Sequence, residues 1–235
     1  MSDPSRCKVN LVKPEGSLSQ AVASSPGLRS VGWKALTSLA SRLNLTLTAE
    51  IFSDDFPTYY DTVPSYFAKP GAYGMAGVVV ESGDVSLPRV KVYHSLKPIS
   101  LCLIYGYHAN FYGQYEVAEV VVELMENLKV TRLYVLAGYA LEGESICCAA
   151  STRGLLEEAE KAYGLKPGYV GPFLGFSGLL AGLAADRGME VLCLFSKTKP
   201  NPENPESPDL EASEKLYKKI CEILKINSEK GKVDS

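Results

Sequence analysis

The sequence predicts an α/β fold in which a mostly parallel sheet carries helices on both faces. Three observations predict it. Segments with strand periodicity alternate with segments of helical periodicity, the pattern that crossover connections between parallel strands produce. Two segments, the compact apolar run Ile99–Tyr105 and the similar run Thr131–Ala137, are of the type expected of strands buried on both sides. The 235 residues show no internal repeat and no change of composition near the middle. The expectation is therefore one domain over residues 1–226, with 227–235 as a charged tail.

In chain order, Cys7–Val12 and Gln20–Ala23 are short strands, and Ser24-Ser25-Pro26-Gly27 is turn chemistry. A helix over 28–43 places Leu28, Val31, Ala35, Leu36, Leu39 and Leu43 on one stripe. Leu45–Phe52 alternates as a strand, with Leu45, Leu47, Ala49 and Ile51 facing inward. Ser53–Tyr73 is a long loop rich in Asp, Pro and aromatics, a length that in a compact domain is often functional. Gly77–Glu81 and Leu87–Tyr93 are joined through Ser82-Gly83-Asp84 as a hairpin. After strand Ile99–Tyr105, a helix over 114–128 buries Val117, Val120, Val121, Leu124 and Leu128. It turns Glu116, Glu119, Glu123 and Glu126 to solvent.

Gly138 ends the strand Thr131–Ala137, and Ile146–Ala150 is a further strand. A helix over 151–163 opens at Ser151 or Thr152 and stops at Gly164. The small-residue segment Phe173–Arg187 is helical in its second half, and Met189–Phe195 is the last strand. A loop stiffened by Pro200, Pro202 and Pro205 leads to Ser207-Pro208, an N-cap and first-turn proline. The final helix, 209–226, buries Leu210, Leu216, Tyr217, Ile220, Ile223 and Leu224.

Composition excludes several functions. Lys and Arg number 24 and Asp and Glu 27, a net charge of −3, which argues against binding nucleic acid by phosphate neutralisation. The apolar runs fall short of the roughly 20 residues that span a bilayer. With only His94 and His108, a histidine-rich metal site is excluded and a catalytic histidine has two candidates. The six cysteines form no C-x-x-C pair, so zinc-ribbon and thioredoxin readings fail. Most sit in apolar runs as small hydrophobes, and vicinal Cys147-Cys148 is the one candidate redox pair. Free thiols without a signal peptide suit a reducing, cytoplasmic location.

In parallel sheets, ligands bind in loops beyond the carboxyl ends of strands. That rule selects Ser24–Gly32, Gly106–Gly113, Gly138–Glu144 and Gly171–Gly178. Gly27 to Gly32 approaches phosphate-loop spacing, but Trp33-Lys34-Ala35 stands where Lys and then Ser or Thr must follow the second glycine. A turn at Gly27 and close helix–sheet packing at Gly32 is the plainer explanation. Gly175-Phe176-Ser177-Gly178 approaches a nucleophile elbow, but Leu179 occupies the last glycine position. The segment Tyr105–Tyr115 is dense in aromatics and holds Tyr107, His108, Asn110 and Tyr112. It reads either as a cleft or interface or as a satellite core beneath the long loop, since aromatics mark both. The candidate ligand crevice or subunit contact is therefore Gly27, Gly32, Tyr107, His108, Asn110, Tyr112, Gly138, Gly175, Ser177 and Gly178. No catalytic set, metal site or cofactor is expected.

Over residues 18–226 the ordered signals resemble the proteasome assembly chaperones of the second-chaperone type and their archaeal and bacterial homologues. The most specific part is Gly171-Pro-Phe-Leu-Gly175-Phe-Ser-Gly178-Leu-Leu-Ala-Gly182, then the strand at 189–195, then Pro208-Asp-Leu-Glu-Ala212. Pro26-Gly27-Leu28 with Val31-Gly32, Phe56-Pro57 and Leu136-Ala137-Gly138-Tyr139 add support through their order. The resemblance implies an α/β fold similar to nucleoside phosphorylases and peptidyl hydrolases, with no family-wide catalytic set. It implies a homo-oligomer that assists α-ring assembly of the 20S proteasome, so the expected partners are itself and proteasome α subunits. Such chaperones often dock through a hydrophobic–Tyr–any-residue tail. The sequence ending Lys230-Gly-Lys-Val-Asp-Ser235 lacks those letters, and Leu216-Tyr217-Lys218 lies inside a helix. The alternative is a small-molecule binder or enzyme using the strand carboxyl-edge crevice, which requires a deep pocket with an acid or base.

Overall fold

The computed structural model describes residues 7–12, 16–56, 78–81, 83–107, 111–168, 171–199, 201–204 and 207–228. Its strands are β1 (Cys7–Leu11), β2 (Gln20–Ser24), β3 (Thr46–Ser53), β4 (Val79–Glu81), β5 (Asp84–Ser86), β6 (Val90–Ser95), β7 (Leu101–Tyr105), β8 (Arg132–Tyr139), β9 (Ile146–Ala150), β10 (Lys166–Pro167) and β11 (Glu190–Lys197). Its α-helices are α1 (Val31–Ala40), α2 (Gln114–Asn127), α3 (Arg153–Tyr163), α4 (Gly175–Asp186) and α5 (Leu210–Leu224).

Nine strands form one sheet in the order β1-β3-β6-β7-β2-β8-β11-β9-β10. The α/β class stands, but the sheet is mixed. β7, β2, β8 and β11 run parallel at its centre, and β9 and β10 are parallel to each other. The flanking pairs β1·β3, β3·β6, β6·β7 and β11·β9 are antiparallel. The central strands are the apolar ones: Leu101–Ile104 and Leu133–Leu136 are buried throughout, because helices cover both faces. α2 and α4 pack on one face, where Val117, Val121, Phe176 and Leu180 meet Ala21, Ala23 and Val135. α1, α3 and α5 pack on the other, where Leu36, Leu155 and Leu216 meet Val22, Leu103 and Leu194. Cys147 and Cys148 alternate between these two cores, so their thiols lie on opposite faces of β9 and do not form a vicinal redox pair. Every described cysteine is a free thiol.

Several expectations need correction. Helix α1 starts at Val31, not at 28. A 3-10 turn at Leu28–Ser30 precedes it, with Arg29 and Ser30 at φ 46° and 51°. The Arg29 guanidinium holds the turn by donating to the carbonyls of Ser207 and Lys199, each at 3.0 Å, while the Arg29 carbonyl accepts from Asp209 N–H at 2.9 Å. Such tertiary ties keep non-glycine residues in a costly conformation. The inward alternation fails at Leu47, which is exposed, while Thr48 is buried. The β3–β6 register shifts between Leu47 and Ala49, and that bulge turns Thr48 inward. There Thr48 Oγ1 lies 2.7 Å from His94 Nδ1.

The hairpin partner of β4 is β5, and these two form a separate sheet. Val90–Ser95 belongs to the main sheet instead. Gly138 lies inside β8, which runs on to Tyr139 as β11 continues beside it to Lys197. Helix α4 begins at Gly175, earlier than expected, because φ is +80° at that residue and the chain can turn sharply there. Asp209, not Ser207, caps α5, its side chain accepting from Ala212 N–H at 3.0 Å. Pro208 therefore precedes the cap. Leu210 sits in the first turn and is 66% exposed.

Candidate functional site

Strand β2 is the pivot of the sheet. Its parallel neighbours are β7 on one side and β8 on the other. Helix α1, after β2, packs on one face and α2, after β7, on the opposite face. A cleft of about 610 Å3 opens at the carboxyl ends of β2, β8 and β11. Its walls are the turn Ser25–Leu28, Gly32, the end of β8 with Leu136–Leu141, the segment Gly171–Leu174, Ser177 and Phe195.

Backbone proximity shapes this cleft. A Cβ on Gly32 would lie 2.1 Å from the Leu136 carbonyl oxygen, so only glycine lets α1 lie this close to β8. The buried Ser24 hydroxyl donates to the same oxygen at 2.9 Å. A Cβ on Gly178 would lie 1.9 Å from the Phe173 carbonyl oxygen, which lets the Gly171–Leu174 segment fold back against α4. Phe173 and Phe195 meet edge to face with centroids 5.0 Å apart.

The polar content is small. The Ser25 and Ser177 hydroxyls are hydrogen-bonded at 2.8 Å. Tyr139 donates its phenol proton to the Glu144 carbonyl, and burial pushes that phenol up to about 12. Among the described residues lining the cleft there is no carboxylate, imidazole or amine. Among the described residues of the cleft neither serine has a base beside it, and the lining offers apolar wall and hydroxyl hydrogen bonds. Among the described residues, no cluster of His, Cys, Asp and Glu could hold a metal ion, and no helix is long and apolar enough to cross a membrane.

The structure gathers part of the predicted set. Gly27, Gly32, Gly138 and Ser177 line the cleft. Gly175 and Gly178 lie in the first turn of α4 beside it. Tyr107 lies elsewhere: it packs on Phe56 at 5.0 Å, and Phe56 on Phe111 at 5.0 Å. This half of the aromatic segment joins the main core on the α2/α4 face, with Phe56 and Phe111 buried in it and Tyr107 packed against it. Tyr112 is 92% exposed and joins neither the core nor the cleft. His108 and Asn110 lie outside the described residues, as do the aromatics of 57–73. Ser25, Phe173, Leu174 and Phe195 were missed. Ser25 stands in a turn the sequence marks, and Phe173 and Leu174 stand in a selected segment. Phe195, inside a buried strand, carries no signal of its own.

A mixed sheet, helices on both faces and an apolar crevice at the central carboxyl edge define an α/β protein with an open cleft over the ends of β2, β8 and β11. The chain belongs to the PAC2 family, whose model matches residues 21–234. Among solved structures it is similar to Pyrococcus furiosus PbaB, an archaeal proteasome activator. The TM-score is 0.76 at 18% identity, covering 95% of this chain and 91% of that one. It is also similar to Pyrococcus furiosus PbaA, an archaeal homolog of proteasome-assembly chaperone, with TM-score 0.68, 20% identity, and 94% and 87% coverage. A Thermoplasma acidophilum protein of unknown function is a further fold match, with TM-score 0.60, 16% identity, and 88% and 87% coverage. At these identities the likeness establishes the fold. A search of curated proteins by sequence gives no match.

Proposed function

We propose that the chain is a non-enzymatic, self-associating protein-interaction module that assists assembly of the 20S proteasome α-ring in the cytoplasm, working as one domain over residues 1–226. Membership of the PAC2 family across residues 21–234 carries the reading, and PbaA, a homolog of proteasome-assembly chaperone, shares the fold. The cleft supports it. An enzyme of this fold needs an acid or base in the crevice, and the described lining is apolar wall with two serines and a tyrosine. Such a surface suits apolar groups of another protein.

The test is a pull-down of purified proteasome α subunits on the immobilised chain, with native gels following α-ring formation. The expected result is retention of α subunits and a changed rate or yield of rings. No retention together with unchanged ring formation overturns the reading.

A further inference from the structure

The β4–β5 hairpin is a separate two-stranded sheet with one apolar face. Val80 stands directly opposite Val85 in its register. Val78 and Leu87 flank that pair at alternate positions, and the period of two places all four on one side. They are 51–74% exposed. A lone two-stranded hairpin is marginally stable in water, so an uncovered aliphatic face on such an arm calls for a cover. Another exposed apolar surface is the mouth of the cleft, where Leu174 is 80% exposed and Leu28 and Leu141 are also exposed.

Both patches lie on the same edge of the sheet. β2 and β7 end at this edge, at Ser24 and Tyr105. β6 is antiparallel to β7, with Lys91 opposite Tyr105, so it begins there, a few residues after the hairpin. From β6 to β8 is three strand spacings, or about 15 Å. We propose that the β4–β5 arm of one copy covers the cleft mouth of a second copy, and the reverse, across a two-fold axis at the carboxyl edge.

Area decides for this arrangement. Four aliphatic side chains exposed to this extent present about 300 Å2. Two arms stacked face to face bury about 600 Å2 in all, the size of a lattice contact. Reciprocal exchange adds each receiving cleft, reaching about 1,200 Å2, the lower bound of a stable interface. Donor and acceptor surfaces are both aliphatic and both on this chain, as an isologous homodimer requires. The inference rests on the self-association part of the function proposed above and names its surface.

Light scattering on the full chain at micromolar concentration tests it. The expected mass is that of a dimer. Val80→Glu with Val85→Glu on the arm, and separately Leu174→Glu at the cleft mouth, are each expected to give monomers with unchanged circular dichroism; Leu87→Glu serves if the first variant misfolds. Mixing Val80→Cys chains with Leu174→Cys chains under mild oxidation is expected to yield a disulfide-linked dimer that neither forms alone. A monomeric wild-type chain overturns the proposal while leaving α-subunit binding, measured separately, to judge the chaperone reading. So does a dimer that survives Leu174→Glu, since it assigns the contact to the arms alone or to another surface.

Discussion

Substituting alanine for Gly32 puts the close packing of α1 on the sheet under test. The new Cβ would lie 2.1 Å from the Leu136 carbonyl oxygen, 2.5 Å from its carbon and 2.6 Å from Ser24 Oγ. The first two are backbone atoms of a central strand, so no side-chain rotation relieves the clash. Helix α1 must move off the sheet by roughly 1.3 Å to restore ordinary contact. That movement loosens Val31, Ala35, Leu36 and Leu39, all buried against the sheet. It also disturbs the 2.9 Å bond from Ser24 to Leu136. Overpacking costs about 1–3 kcal/mol and a lost hydrogen bond about 1 kcal/mol. The expected destabilisation is about 3 kcal/mol, which for a chain of this length lowers Tm by about 6–12 °C. Thermal denaturation followed by circular dichroism reads it. Gly182→Ala is the control: it lies inside α4 with nothing within 4 Å of an added Cβ. Removing a helix-interior glycine should raise stability by about 0.5–1 kcal/mol. A Gly32→Ala protein that melts within about 2 °C of wild type would refute the close-packing argument.

Three further outcomes are expected. Asp209→Ala should cost about 2 kcal/mol in urea denaturation, since the carboxylate caps α5 and also accepts from Thr198 Oγ1 at 2.6 Å. Leu216→Ala should cost about 2–5 kcal/mol because Leu216 is fully buried, whereas Leu210→Ala should cost under about 0.5 kcal/mol, since that side chain lies largely in water. Burial lowers the His94 pKa below its ordinary 6.5, so the unfolded chain binds the proton more readily. The contribution of His94 is then fully present above pH 6.5 and is lost as pH falls from there through the folded value. Urea midpoints should fall between pH 7.5 and 5 more for wild type than for His94→Gln; equal slopes would remove His94 from the account.

Much of the fold was legible because its signals are local. Apolar runs at 101–104 and 133–136, helical stripes in α1, α2 and α5, and stop glycines such as Gly164 depend on neighbours within one turn or one strand. Their alternation sets the α/β class. Misjudged features depend on partners far along the chain. Arg29 is drawn out of the helix by carbonyls at 199 and 207, and Leu47 is turned out by a bulge that exists only against β6. The hairpin chose β5 because the following strand is taken up by the main sheet.

The same division holds for the site. The sequence by itself determined that the carboxyl-edge loops would be rich in glycine and serine, and placed Gly27, Gly32, Gly138 and Ser177 in segments that converge. It could not tell which half of the aromatic segment turns inward, since Tyr107 and Phe111 differ from Tyr112 only in what lies across from them. Only the tertiary structure brought Ser25 to within 2.8 Å of Ser177, residues 152 apart in sequence, and only it set the cleft and the arm on one edge. Strand order and direction decide such meetings, and both are set by packing among distant segments rather than by the local preferences a sequence displays.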